Sequence, residues 1–396
     1  MTAIGAVCLA GAPMGASATT AAAATATIKV LVAGLDQPKG ITVAPDGSLI
    51  VAVSGDGAAP PSCINGAQPE CLDQSGAIDE VGGNGTLTTL LSGLPSISSG
   101  STAGVAYGPA EARLIGGKLQ VLFQDNGIDS VTGRQPFGPG GALLGDLAQI
   151  STSSPGSRRV EASFGPFEAA HNPDHSAGWD VAAHQEPAID SDPYSFVPYR
   201  GGYAVADAGG NDLLFVSGTG RISVLAVFPT IPEASAPSSG QRSGKSSTLQ
   251  AQAVPDALAV GPDGALYVGE LGGAPSDAGS SRIYRVVPGH AATVYARGLT
   301  AVGALAFDRQ GRLLVLEIDR RGLSDPALNS GAPVSGAIIR IAPGGRRTVI
   351  AASGLEFATG LAVGRQDTIY VATKGITNGN PSVPGSGGEI VEVTPG

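Results

Sequence analysis

Apolar and polar residues alternate along this chain in short runs, and the runs recur. KGITVAPDGSLIVAVSG from Lys39, DALAVGPDGALYVGELGG from Asp256, GALAFDRQGRLLVLEID from Gly303 and TGLAVGRQDTIYVATKG from Thr359 follow one plan. Each is an apolar strand, a short turn rich in Asp and Gly, and a second strand that ends in a loop. Alternation with a period of two predicts half-buried strands, and Asp-Gly between two such runs predicts a tight hairpin. Two divergent copies join them, AGVAYGPAEARLIGGKLQVLFQDNG from Ala103 and DPYSFVPYRGGYAVADAGGND from Asp192. Internal repetition of this kind predicts a repeat architecture, because one hairpin cannot bury its apolar face alone.

A second strand pair follows in most copies: GAIDEV with TLTTLLSGL, LAQIS with RRVEASF, LLFVS with ISVLAVF, IYRV with TVYARGL, and IIRI with TVIAASGL. The sixth copy has only EIVEV before the sequence reaches Thr394-Pro395-Gly396. The partner it requires has the form of TIKVLVAGL, Thr27 to Leu35, which precedes the first copy. The expected fold is therefore all-β, a six-bladed β-propeller closed by pairing the N-terminal strand (27–35) with the C-terminal strand (388–394). Radial repetition leaves only short, protected sheet edges. A parallel β-helix has shorter coils and lacks Pro-Asp-Gly hairpins, and a β-sandwich has no need of sixfold recurrence. Residues 1–26 read as a leader and 27–396 as one propeller domain, with blades near 39–92, 103–166, 192–228, 256–299, 303–355 and 359–396 plus 27–35. The stretch from Phe167 to Asp190 carries no clear strand and at most a helical turn. The long insertions at 54–76, 127–144, 272–281, 318–335 and 375–387 fall between second and third strands. They are expected on one face with the blade-to-blade links, the natural place for binding or chemistry.

Composition supports this picture. The chain has 396 residues, 60 of them Gly and 29 Pro, with 42% apolar residues, as expected for many short strands joined by tight turns. A formal charge of −10 without a long basic run disfavours nucleic acid and anionic membrane as partners. The uncharged start, with an apolar stretch from Ile4 to Met14 and Ala16-Ser17-Ala18 after it, reads as a signal peptide, so a secreted protein is expected. The apolar run is too short for a transmembrane helix. Cleavage would have to fall before Thr27 for the ring to close. In an exported protein Cys63 and Cys71 read as a local disulfide, with two free thiols or half of a metal site as alternatives. Cys8 lies in the leader.

VPDALAVGPDGALYVGEL, IYRVVPG and DPYSFVPYRGGYAVADAGGNDLLFVSGTGRIS resemble the ScyD/ScyE family of exported bacterial propellers, whose wider relatives are the NHL and TolB-like six-bladed propellers. The resemblance covers nearly everything after residue 28 and is strongest from Asp190 to Gly322. Its distinctive element is DAGGND, Asp207 to Asp212, with HNPD and DSDPY before it. LGGAPSDAG after Glu270 departs from the family's more aromatic stretch. The resemblance implies fold and export, and no settled activity.

Aligned second strands end at Glu270, Glu317 and Asp207 in three consecutive blades. Asn211 and Asp212 follow Asp207, and Asp125 and Asn126 lie at a similar level of blade two. Oxygen ligands converging at the channel mouth would suit Ca²⁺, which takes six to eight of them. The same acids would equally serve to satisfy loop amides or neighbouring Arg residues. His171, His175 and His184 lie close together, and Pro173 opposes the continuous helix that a His-x3-His zinc pair needs. His175 and His184 are candidate proton carriers because imidazole titrates near neutrality. His290 stands apart. Trp179, the sole Trp, either packs the atypical connection or walls a ligand. No nucleophile elbow, phosphate loop or metalloprotease helix motif occurs. A binding scaffold for a small molecule or a cell-envelope protein is thus expected, acting as a monomer. A calcium-assisted hydrolase, lactonase or lyase at the channel mouth is the alternative, and a structural scaffold a third reading.

Overall fold

The computed structural model describes residues 26–57, 63–64, 70–99, 105–124, 133, 136–154, 156–175, 189–233, 249–274, 276–323, 334, 336–376 and 387–396. Its strands form six antiparallel blades. Blade one is built on Pro38–Val43, Leu49–Val53, Glu70–Val81 and Leu87–Ser99. Blade two has Pro109–Ile115, Lys118–Phe123, Asp146–Ile150 and Arg158–Ser163, and blade three Pro193–Tyr199, Gly202–Asp207, Asp212–Val216 and Ile222–Val227. Pro255–Val260, Leu266–Glu270, Ser281–Val286 and Thr293–Leu299 make blade four. Blade five has Val302–Phe307, Leu313–Glu317, Ala337–Ile341 and Arg347–Ala351. Blade six takes Gly360–Val363, Ile369–Thr373 and Gly388–Thr394 from the end of the chain and Thr27–Leu35 from its beginning.

The closing strand pairs antiparallel with Gly388–Thr394, from Thr27 opposite Thr394 to Leu35 opposite Gly388. Val32 and Leu35 enter the core between blades six and one with Ile41, Val51, Val81 and Ile390. Burying a side chain of this size stabilises by about 1.5–3 kcal/mol, so this strand is a structural part of the ring. Each of the six gaps between neighbouring blades holds its own apolar cluster. Second strands are largely buried, and wholly so in LIVAV, LYVGE and LLVLE.

Three elaborations sit on the long-loop face. The third and fourth strands of blade one run on beyond the blade, adding Ala106–Tyr107 along one edge and Cys63–Ile64 along the other. Cys63 and Cys71 are joined there as a disulfide, opposite each other across the ladder. Between blades two and three, where sequence reading allowed at most a turn, lies the helix Phe164–His171. Phe164 is wholly buried in the interface between those blades and anchors the start of the helix. A small hairpin, Ile231–Glu233 with Leu249–Ala251, fills the link between blades three and four. Among the described residues, no helix is long and apolar enough to cross a membrane.

Candidate functional site: the channel mouth and the flank of blade three

The innermost strands share an irregularity that aims side chains at the axis. The ladder between first and second strands shifts register just after Pro38, Pro109, Pro193, Pro255 and Val302. The extra residue in the last four is Ala110, Tyr194, Asp256 and Gly303, and in blade one the surplus falls at Lys39–Gly40. A β-bulge bends its strand and re-aims a side chain. A ring of positions thereby surrounds the channel entrance: Lys39, Ala110, Tyr194, Asp256, Gly303 and, at the start of blade six, Thr359.

Lys39 and Asp256 are opposed titratable members, from blades on opposite sides of a six-bladed ring. Both are almost wholly buried, at 3% and 4% exposure. Lys39 donates from Nζ to the Gly375 carbonyl at 2.7 Å, and Thr359 Oγ1 donates to the Pro38 carbonyl at 2.7 Å, which locks blade six to blade one. Gly360 is required at this seam, because a Cβ there would lie 2.2 Å from the Lys39 carbonyl oxygen. Burial pushes the Lys39 amine down to about 8, partly opposed by Asp192 and Asp256. Burial likewise pushes the Asp256 carboxyl up to about 8, opposed by Lys39. Groups of blades one, three and four thus act on one another here. Tyr194 and Tyr107 complete the entrance. Burial raises both phenols, with Asp192 a further cause for each, Tyr107 to about 12. Tyr107 also senses the carboxyls of Glu70 and Asp190.

The acids of the aligned second strands occupy equivalent places and keep different company. Glu270 is fully buried and gripped by Arg282, Nε to Oε2 at 2.7 Å and Nη2 to Oε1 at 2.7 Å, with the Arg282 backbone N–H at 2.9 Å from Oε2. Arg282 also donates to the carbonyls of Pro229 and Thr230, so the pair braces the link between blades three and four. Glu317 accepts the Thr300 N–H at 2.8 Å and lies 3.9 Å from half-exposed Arg320. Asp207 caps a turn, accepting from Ser191 Oγ at 2.6 Å, the Asp192 N–H at 2.7 Å and the Gly210 N–H at 3.1 Å. Among the described residues, no three His, Cys, Asp or Glu side chains are grouped so as to hold a metal ion, so Asp207, Glu270 and Glu317 form no such set.

Asn211 does belong with Asp207. At a left-handed φ of 51°, it donates from Nδ2 to Asp174 at 3.0 Å and accepts the Val254 N–H at 3.1 Å. It ties blade three to blade four and to the turn after the helix. Asp212, opposite Asp207 in the ladder, is wholly buried, and neither carboxyl oxygen has a hydrogen-bond partner. Burial, with Asp207, Glu168 and Asp174 nearby, raises its carboxyl well above the usual range. Glu168, projecting from the helix and also buried, is pushed up to about 8 by burial and by Asp207, Asp174 and Asp190. Asp207 is pushed up to about 6 by burial and Asp190, against its three hydrogen bonds.

The histidines contribute less. The helix ends at His171, whose Nδ1 lies 2.9 Å from the Phe167 carbonyl and whose ring stacks on Phe167. Asn172 is left-handed, so His171 and His175 share no helix, as Pro173 implied. His175 is exposed in the following turn, and His290 lies in the hairpin turn of blade four on the opposite face. His184, Trp179, Asp125 and Asn126 fall outside the described residues. Lys39, Tyr194, Asp256 and Glu168 were not singled out from sequence. The first position of the repeats quoted above carried part of the signal, since Lys39, Asp256 and Thr359 stand there in polar form.

No family model and no curated protein matches the chain. Among solved structures it is similar to regucalcin, a calcium-binding protein from Agrobacterium tumefaciens, at 12% identity, covering 94% of each chain with a TM-score of 0.51. It is also similar to a glucose dehydrogenase at 14% identity, covering 93% of this chain and 100% of that one with a TM-score of 0.50. These likenesses establish the class, a six-bladed β-propeller, and the fold alone.

Proposed function

We propose that this chain is an exported propeller of the ScyD/ScyE type that binds a small polar ligand at the channel mouth of its long-loop face. One observation carries the reading: Lys39 and Asp256 stand opposite each other, buried at bulge positions of the channel ring. Burying an amine and a carboxyl costs several kcal/mol each before any mutual attraction. A ring that only needs filling is served by small residues, as Ala110 and Gly303 serve at equivalent places. The titratable pair is therefore read as machinery, with Tyr194, Tyr107 and Asp192 as partly open walls around it.

The chemistry favours a neutral, polyhydroxylated or carbonyl-bearing molecule. Lys39 offers donors, Asp192 and Asp256 offer acceptors, and two phenols offer both with an apolar face. Asp192 and Asp256, the carboxyls that act on Lys39, disfavour phosphorylated ligands. The disulfide Cys63–Cys71 supports an oxidising, extracytoplasmic setting. A second reading, proton transfer on the bound ligand, is favoured by the Lys39 amine at about 8, within the range useful for a general base.

The test is a thermal-shift and calorimetric screen of neutral sugars, polyols and lactones alongside sugar phosphates, on the wild type and on Lys39→Met. The reading expects a neutral compound to stabilise the wild type and to lose at least tenfold in affinity on Lys39→Met. Binding of no neutral compound, or equal binding by both proteins, would overturn it.

A further inference from the structure

We propose that the face of hairpin turns, opposite the channel mouth, docks a flexible polyanion bearing phosphate or carboxylate groups. It lies at the other end of the molecule from the channel ring, and it holds whatever the channel mouth binds.

Topology sorts the charges. In an antiparallel blade the turns between first and second strands and between third and fourth strands fall on one side. The long loops and blade-to-blade links fall on the other. Six cations stand at the turns, and all are exposed: Lys118 and Arg158 in blade two, Arg200 and Arg221 in blade three, Arg346 in blade five and Arg365 in blade six. Among the described residues, none of the six has an ion-pair partner.

The acids of the same turns are already engaged. Asp263 pairs with Arg285 at 2.7 Å, Asp308 with Arg312 at 2.6 Å and Asp367 with Arg309 at 3.4 Å. Asp46 caps its own turn, accepting the Ser48 N–H at 3.0 Å and Ser48 Oγ at 2.8 Å. The three pairs cancel, so six cations stand against one acid without a counter-ion. A chain with a formal charge of −10 thus presents a positive face away from its channel mouth.

Blade five shows the same excess at closer range. Arg340 lies opposite Leu314 in the ladder, and Arg312, two residues before Leu314, leaves the same face of the sheet. Arg340 Nε is buried and has no hydrogen-bond partner. Asp308 Oδ2 is 4.0 Å away from it and already accepts from Arg312 Nε at 2.6 Å. Burial and Arg312 lower the Arg340 guanidinium, against Asp308 and Asp367. Anions brought to this face would offset the crowding of Arg312 and Arg340.

The spread of the cations identifies the partner. They occupy four blades, so one small anion reaches few of them, whereas a long flexible chain meets several at once. Five of the six are Arg, whose planar fork takes phosphate or carboxylate bidentately. A bilayer surface suits them less, because basic faces that dock on lipid also insert aromatic or leucine side chains. Among the described residues no Phe, Tyr or Trp is exposed. Docking through the turns would leave the channel mouth open on the far side.

The test is titration of the full chain with long-chain polyphosphate and with polygalacturonate, beside phosphatidylglycerol vesicles and duplex DNA. At least one of the two polymers is expected to bind at about 50 mM salt and to weaken at least tenfold by about 200 mM, as counter-ion release requires. Reversing charge at three exposed positions together, Arg200→Glu, Arg221→Glu and Arg346→Glu, is expected to weaken binding at least tenfold with the melting temperature within a few degrees of wild type. Should that variant fail to fold, Arg221→Gln with Arg346→Gln serves in its place, with at least a threefold loss expected. No binding of either polymer, undiminished binding by the folded variant, or tighter binding to vesicles or DNA than to the polymers would overturn the proposal.

Discussion

Glu270 in blade four and the Asp207–Asp212 pair in blade three stand at the same level of the same repeat, at the neck where second strand turns into third. In blade four the turn lengthened and an Arg entered, and the acid became a brace between blade three's exit and blade four's third strand. In blade three the turn stayed short, a second acid arrived opposite the first, and no cation followed. Equivalent backbone positions therefore do not define a site; the partners of the side chain do. An acid with a bidentate Arg is satisfied, while a buried acid with none is pushed towards its neutral form.

This contrast can be broken from either side. Arg282→Ala would leave Glu270 buried without its counter-ion and should cost about 3–5 kcal/mol, read as a drop in the urea midpoint. Glu270→Gln keeps one acceptor and strands the guanidinium, so a loss of about 2 kcal/mol is expected by the same measurement. Asp212→Asn should change stability by less than about 1 kcal/mol, since it removes a carboxyl whose two oxygens have no hydrogen-bond partner. Should Asp212→Asn cost as much as Glu270→Gln, the two regions would be alike and the contrast would fail.

The channel ring yields a pH dependence with a worked sign. The Asp256 carboxyl, raised by burial to about 8, holds its proton in the folded state from its ordinary value of 3.8 upwards. Its contribution to stability therefore falls as pH rises from about 4 to 8, with a slope of up to about 1.4 kcal/mol per pH unit. The Lys39 amine, lowered to about 8, binds less proton folded than unfolded up to 10.5, so its contribution recovers as pH rises through that window. The pair predicts a stability minimum near pH 8. Comparing the wild type with Asp256→Asn isolates the acid limb: the difference should shrink as pH falls towards 4, and a constant difference would contradict the assignment. Glu317→Gln should have the smallest effect, under about 1 kcal/mol at any pH, since the amide oxygen still accepts from Thr300 and Arg320 is half exposed.

How much of this could be read from sequence follows the kind of interaction. The ring, its blade number and its closure by Thr27–Leu35 were legible because strand alternation and turn chemistry are local, and because the sixth copy lacked a partner that the sequence held elsewhere. The acid column was legible as a column. Its meaning was not, because Arg282 and Thr300 reach their acids through loops whose paths have no periodic signature. Asp212 was noticed as part of DAGGND and as a neighbour of Asp207 in the candidate oxygen set, and Glu168 not at all, since it lies on a helix that the alternating pattern does not announce. Lys39 and Asp256 escaped for another reason. An alternating pattern assigns the first residue of a strand to one face or the other, and a bulge turns it towards the axis instead.

The most direct test of the claim that equivalent positions carry opposite roles is the urea midpoint of Glu270→Gln set beside that of Asp212→Asn. The account predicts a loss of about 2 kcal/mol for the first and under about 1 kcal/mol for the second. Equal losses would contradict it.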